Sequence, residues 1–102
     1  MISASVANMI PKIQAFFAGK PVEKAWLFGS CSRGEETPTS DVDILVQYQA
    51  GSRISLFTIS KLTVELEEVL QKPVDLIEDG RLLPFAQAGA NHDKMLIYER
   101  GA

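Results

Sequence analysis

Residues able to do chemistry gather between positions 29 and 43. An apolar run ends in Gly29-Ser30, a polar stretch passes through Arg33-Gly34, and a second apolar run opens with Asp41-Val42-Asp43. Each residue type has a physical use in such a place. Glycine lets a backbone come close to an anion, and a short helical turn starting at Ser30 aims unpaired N–H groups at a phosphate. The Ser30 hydroxyl adds a donor. Arg33 carries a planar fork of N–H groups that matches phosphate oxygens in a charge-assisted contact.

The acids complement these donors. Two aspartates at i and i+2 of a strand share a face, their Cα atoms separated by about twice the ~3.3 Å rise per residue. Magnesium commonly takes one or two carboxylates and fills its shell with water and substrate phosphates, so Asp41 and Asp43 suit it. Asp75 stands out of phase with Val74 and Leu76 in a later apolar run and can join them. With three carboxylates, two ions about 4 Å apart become feasible, one on the attacking oxygen and one on a triphosphate. Asp75 has an alternative use as a base that helps deprotonate an acceptor.

These side chains must be held by something, and the apolar periodicity says what. Met9, Ile10, Ile13, Phe16 and Phe17 recur at helical spacing ahead of the stop Gly19-Lys20-Pro21. Pro11 fits either the first turn of a helix starting near Asn8 or a longer helix from near Ser3. Glu23 to Phe28 reads as a strand cut off by Gly29. Asp41 to Gln47 alternates, with Val42, Ile44 and Val46 on one face and Asp41 and Asp43 on the other. Ser52 or Ser55 can cap a following helix whose stripe is Ile59, Leu62, Leu66, Val69 and Leu70, ended by Lys72-Pro73. Val74 to Glu78 is a third strand, Pro84 to Asn91 a short helix and Met95 to Tyr98 an extended segment. The order predicts an α+β fold, a small mixed β-sheet flanked by helices.

A chain of 102 residues that is 46% hydrophobic has material for one domain, here spanning 1–102, and hardly for two. It would bury about 65% of its unfolded surface, enough for a core without disulfides. A second wall around a substrate must then come from a partner. The single cysteine, Cys31, forms no intramolecular disulfide, and neither a secretory segment nor an 18-residue apolar run is present, which predicts a cytoplasmic protein with no membrane partner. Ten basic residues against 13 acidic ones give net charge −3, with the basic residues scattered from Lys12 to Arg100, so nucleic acid is a disfavoured partner. Cys31 and His92 read as bland structural or solvated residues. Trp26 and Phe28 read as core, with a base contact as the alternative.

Gly29-Ser30-Cys31-Ser32-Arg33-Gly34-Glu35, followed by Ser40-Asp41-Val42-Asp43-Ile44-Leu45-Val46, resembles the signature of minimal nucleotidyltransferases of the DNA polymerase beta superfamily. Pro73-Val74-Asp75-Leu76-Ile77 is similar to the segment carrying that family's third carboxylate, and Ile97-Tyr98-Glu99-Arg100 resembles a common ending. The resemblance implies a nucleotidyltransferase fold, nucleotide-binding roles for Gly29, Ser30 and Arg33, and catalytic and metal-binding roles for Asp41, Asp43 and Asp75 with two Mg²⁺ ions. Cys31 stands where relatives often carry arginine. Many such proteins are paired with a small helical protein of the HEPN class, on which they act as antitoxins by adenylylating a tyrosine. The resemblance therefore implies transfer of AMP from ATP onto a HEPN-type toxin. The alternative is an antitoxin that works by binding alone, with the apolar stretch Leu82-Leu83-Pro84-Phe85 as a contact surface. Transfer to a small molecule such as an aminoglycoside ranks lower, since enzymes doing so use a second domain to hold the acceptor.

Overall fold

Ser3 begins the first helix: its Oγ accepts the Val6 N–H at 3.2 Å and so satisfies a donor that has no intrahelical partner. Helix α1 then runs Ala4–Ala18 with Pro11 inside it, which decides for the longer of the two helices the sequence allowed. Pro11 lies on the exposed side, so water can reach the Ala7 carbonyl that its missing N–H leaves without a helical partner. The remaining elements, in a computed structural model that describes residues 2–80 and 84–101 without the side chains of 84–87 and 90, are β1 (Val22–Phe28), α2 (Ser30–Arg33), β2 (Val42–Tyr48), α3 (Leu56–Leu70), β3 (Val74–Glu78), α4 (Pro84–Asp93) and β4 (Met95–Glu99). The stretch Leu82-Leu83-Pro84-Phe85 thus falls outside the described residues or side chains.

The four strands form one mixed sheet in the order β3-β2-β1-β4. β1 pairs antiparallel with β2 and β4, whereas β2 and β3 are parallel and joined by α3 as the crossover. This matches the α+β fold and mixed sheet expected. Ser55, not Ser52, caps α3, its Oγ accepting the Thr58 N–H at 3.1 Å. The helix ends at Gln71, which takes the left-handed conformation at φ 57° and donates its N–H to Glu67 O and its side-chain amide to Glu68 O.

One face of the sheet carries the core. Val22, Ala25 and Leu27 of β1, Val42, Ile44 and Val46 of β2, and Val74 and Leu76 of β3 meet Val6, Met9, Ile13 and Phe17 of α1 and Leu62, Leu66 and Leu70 of α3. Of the stripe expected on α3, Ile59 is half-buried and Val69 is 42% exposed. Val69 lies off to the side of the line Leu62-Leu66-Leu70, a turn position that the apolar sequence alone does not separate from the core.

The end of α1 contains no basic residue of its own in its last turn. Arg100 takes over that task from the far end of the chain. Its guanidinium donates to Val22 O at 2.9 Å, Phe17 O at 3.2 Å and Lys20 O at 2.5 Å, satisfying carbonyls around the exit of the helix.

Candidate functional site

The opposite face of the sheet holds the chemistry. Along β2 the register pairs Asp43 with Phe28 of β1 and with Asp75 of β3, so the two acids sit side by side across a parallel ladder. Strand periodicity aims Val42 and Ile44 into the core and Asp43 away from it. β2 begins one residue later than expected, at Val42, so Asp41 lies exposed at its entrance. The loop before it is organised by its own hydroxyls: Ser40 Oγ accepts the Thr37 N–H at 2.8 Å, and Cys31 Sγ donates to Asp41 O at 3.6 Å.

Gly29 links the two halves of the site. It has φ 70° and ψ −152°, a backbone region open to glycine and closed to other residues, and it stands at the N-terminus of α2. A methyl group there would lie 2.6 Å from Asp43 Oδ2, so the Asp43 carboxylate fills the space that a side chain at 29 would need. α2 is the short helical turn expected from Ser30, and it closes with Gly34 in the left-handed region at φ 73°. Ser32 Oγ donates back to Gly29 O at 2.8 Å and tightens the turn.

Electrostatics at Asp43 disfavours its charged form. Burial, then the neighbouring carboxylates of Asp75 and Asp41, push the Asp43 carboxyl up to about 6, with Arg33 opposing. Among the described residues no three His, Cys, Asp or Glu side chains converge into a ready-made metal cage. The donor chemistry nonetheless fits magnesium, which needs only one or two carboxylates from a protein and whose charge would relieve the repulsion around Asp43.

Arg33 is placed differently from the sequence expectation that it reaches for phosphate. Its Nε donates to Glu35 Oε1 at 2.6 Å and its Nη1 to Asp93 Oδ2 at 2.5 Å, tying α2 to the end of α4. These bonds, Glu35 first, raise its already high pKa. Asp93 is a site neighbour that sequence reading missed, because the contact spans 60 residues and no local pattern announces it. Cys31 is buried, and burial followed by Glu36 and Asp43 raises its thiol above the ordinary value, the reverse of what a reactive cysteine needs. Trp26 is half-buried on the site face with Lys94 Nζ 4.6 Å from its ring centroid. His92 is exposed in the last turn of α4.

A glycine turn pressed against a half-buried aspartate, on a mixed sheet backed by two helices, is the arrangement expected of a nucleotidyltransferase. Residues 11–100 match the family model for polymerase beta nucleotidyltransferases, and the chain belongs to that family. Its relatives in Methanocaldococcus jannaschii include several that bear the name "Putative protein adenylyltransferase". One is 44% identical over 64 residues, covering 63% of this chain and 67% of the relative. Another is 41% identical over 78 residues, covering 76% of each. The fold is shared with a toxin–antitoxin crystallised with AMP-PNP (TM-score 0.75, 20% identity, 90% of this chain and 74% of the other). It is shared as well with a chain from the complex of tri-AMPylated Shewanella oneidensis HEPN toxin with MNT antitoxin (TM-score 0.62, 17% identity, 93% and 70%). Among the described residues no helix is long and apolar enough to cross a membrane.

Proposed function

We propose that this chain transfers AMP from ATP onto a side chain of a partner toxin of the HEPN class, and thereby acts as an antitoxin. The single observation that carries the reading is the close approach of the Gly29 turn to the Asp43 carboxylate beside Asp75, a backbone turn suited to an anion next to acids suited to a cation. The adenylyltransferase names of the relatives and the HEPN partner in a structure of the same fold support the choice of donor and acceptor.

In this reading the Gly29–Ser30 backbone and the Ser30 hydroxyl hold the triphosphate, and Asp41, Asp43 and Asp75 hold one or two Mg²⁺ ions. Bound there, magnesium supplies positive charge to the triphosphate and lowers the pKa of the attacking hydroxyl. The acceptor oxygen forms a bond to the α-phosphorus, the bond from that phosphorus to the α–β bridging oxygen breaks, and pyrophosphate leaves. The acceptor proton passes to solvent or to Asp75, which is exposed enough to release it. Arg33 exchanges Glu35 and Asp93 for phosphate oxygens when nucleotide arrives.

The test is intact-mass analysis of the partner toxin mixed with this chain, Mg²⁺ and each nucleoside triphosphate in turn. The expected result is a mass gain of one or more AMP groups with ATP, reduced about 100-fold or more in initial rate by Asp43→Asn. No adduct with any nucleotide rejects the reading. Full neutralisation of the toxin by the Asp43→Asn chain would replace it by inhibition through binding alone.

A further inference from the structure

The outward side of α3 has a pattern that the site does not explain. Leu62, Leu66 and Leu70 face the core, and diametrically opposite them run Phe57, Lys61, Val64 and Glu68, spaced four, three and four residues apart. Phe57 is 80% exposed and Val64 54%, an unusual outlay of apolar surface on a helix whose other side already fills a core. Two shallow cavities flank Val64. One, of about 360 Å³, is lined by Phe57, Ser60, Lys61, Val64 and Glu65, and the other, of about 410 Å³, by Val64, Glu67, Glu68, Gln71, Lys72 and Pro73.

The charges on this side fall into two kinds. Glu65 is engaged by Lys20 at 3.4 Å, and Glu67 Oε2 accepts the Val74 N–H at 3.0 Å, so both serve the fold. Lys61 and Glu68 have no ion-pair partner among the described residues, and they bracket Val64 on the same face. That order is self-complementary under a two-fold axis. If two such helices cross antiparallel with the two-fold axis between Val64 and Glu65, Lys61 of each copy faces Glu68 of the other. In the same register Phe57 of each reaches the C-terminal end of its mate's helix, beside the second cavity with Gln71, Lys72 and Pro73 in its lining.

We propose that α3 is a homodimer interface in which a second copy of this chain packs antiparallel on Phe57, Val64 and their cavities, with Lys61 and Glu68 paired twice across the axis. A 15-residue helix spans only about 22 Å, so the contact sits at the small end of specific interfaces and the dimer is a concentration-dependent one.

Sedimentation velocity on the full chain between about 1 µM and about 1 mM reads this directly. The expected result is a monomer–dimer equilibrium within that range, with CD spectra showing every variant folded. Phe57→Asp and Val64→Asp leave a monomer throughout. Lys61→Glu puts like charges opposite each other twice and weakens the dimer by about 10-fold or more, whereas Lys61→Glu combined with Glu68→Lys restores it to within about 3-fold. A chain that stays monomeric over the whole range overturns the proposal, as does a dimer indifferent to Phe57→Asp. Failure of the charge exchange to restore association overturns the antiparallel register. Protection of Phe57 only in the presence of a different protein assigns the face to that partner and overturns the homodimer as well.

Discussion

The two faces of this sheet are built on opposite rules. On the α1 and α3 side, Ile13, Phe17, Leu27, Ile44 and Leu66 are fully enclosed, and among the described residues no charged side chain is buried with them. On the other side Asp43 is half-buried, pressed against the Gly29 backbone and crowded by two further acids. The first face is optimised for staying folded, the second, in the proposed function, for holding something that is not part of the chain. β2 belongs to both, since Val42 and Ile44 point one way and Asp43 the other. The rigidity of the core is thereby transmitted to the site through one strand.

Breaking the core face should have the largest effect. Phe17→Ala empties a fully enclosed ring position and is expected to lower stability by about 3–5 kcal/mol, measured by urea unfolding, while nucleotide transfer per folded molecule stays within a small factor of the native rate. A collapse of transfer in the folded fraction would show that the two faces are not separable. Gly29→Ala comes next. Its backbone region and the 2.6 Å approach to Asp43 Oδ2 predict a loss of about 1–3 kcal/mol, together with a fall in transfer larger than the unfolded fraction accounts for. Unchanged transfer would mean that Asp43 keeps its position without the glycine beside it.

The smallest effect sharpens the comparison most. Asp43 is raised from an ordinary 3.8 to about 6, so the folded chain binds its proton more tightly than the unfolded chain does. Its contribution to stability is therefore complete below about pH 4 and lost as pH rises through about 6. Asp43→Asn removes the charge, so the metal-free variant should melt above the native chain at pH 7 to 8 and converge with it near pH 4. Because the group is half exposed, solvent screening keeps the gain below about 1 kcal/mol. Equal melting temperatures across that range would show that the Asp43 charge does not strain the metal-free fold.

Sequence carried the two faces where periodicity is local. The alternation Val42, Ile44, Val46 against Asp43, and Val74, Leu76 against Asp75, is a period of two and survives in the structure residue for residue. What it could not carry was partnership at a distance. β4 beside β1, Arg33 bound to Asp93, and Asp43 occupying the place of a Gly29 side chain all depend on contacts between segments far apart in the chain. Leu45 shows a finer limit. It shares the Asp43 face by alternation, yet it is fully buried, so that face is polar only toward the Asp43 end of the strand. Arg100 looked like a family ending in sequence and is, in the fold, the cap of a helix more than eighty residues earlier.

That last contact bears on the order in which the chain can become itself during synthesis. β1 is an inner strand, and it has its first partner once β2 has emerged, but its second, β4, and the Arg100 cap of α1 arrive only some 70 residues after β1 has been made. Until then one edge of β1 and the carbonyls at the exit of α1 stay open. A ribosome-bound chain stopped before Met95 would hold the Gly29 turn and all three acids and still lack the strand and the cap that close the sheet. Closure is thus a late, long-range event, with the entropy of a long loop to overcome.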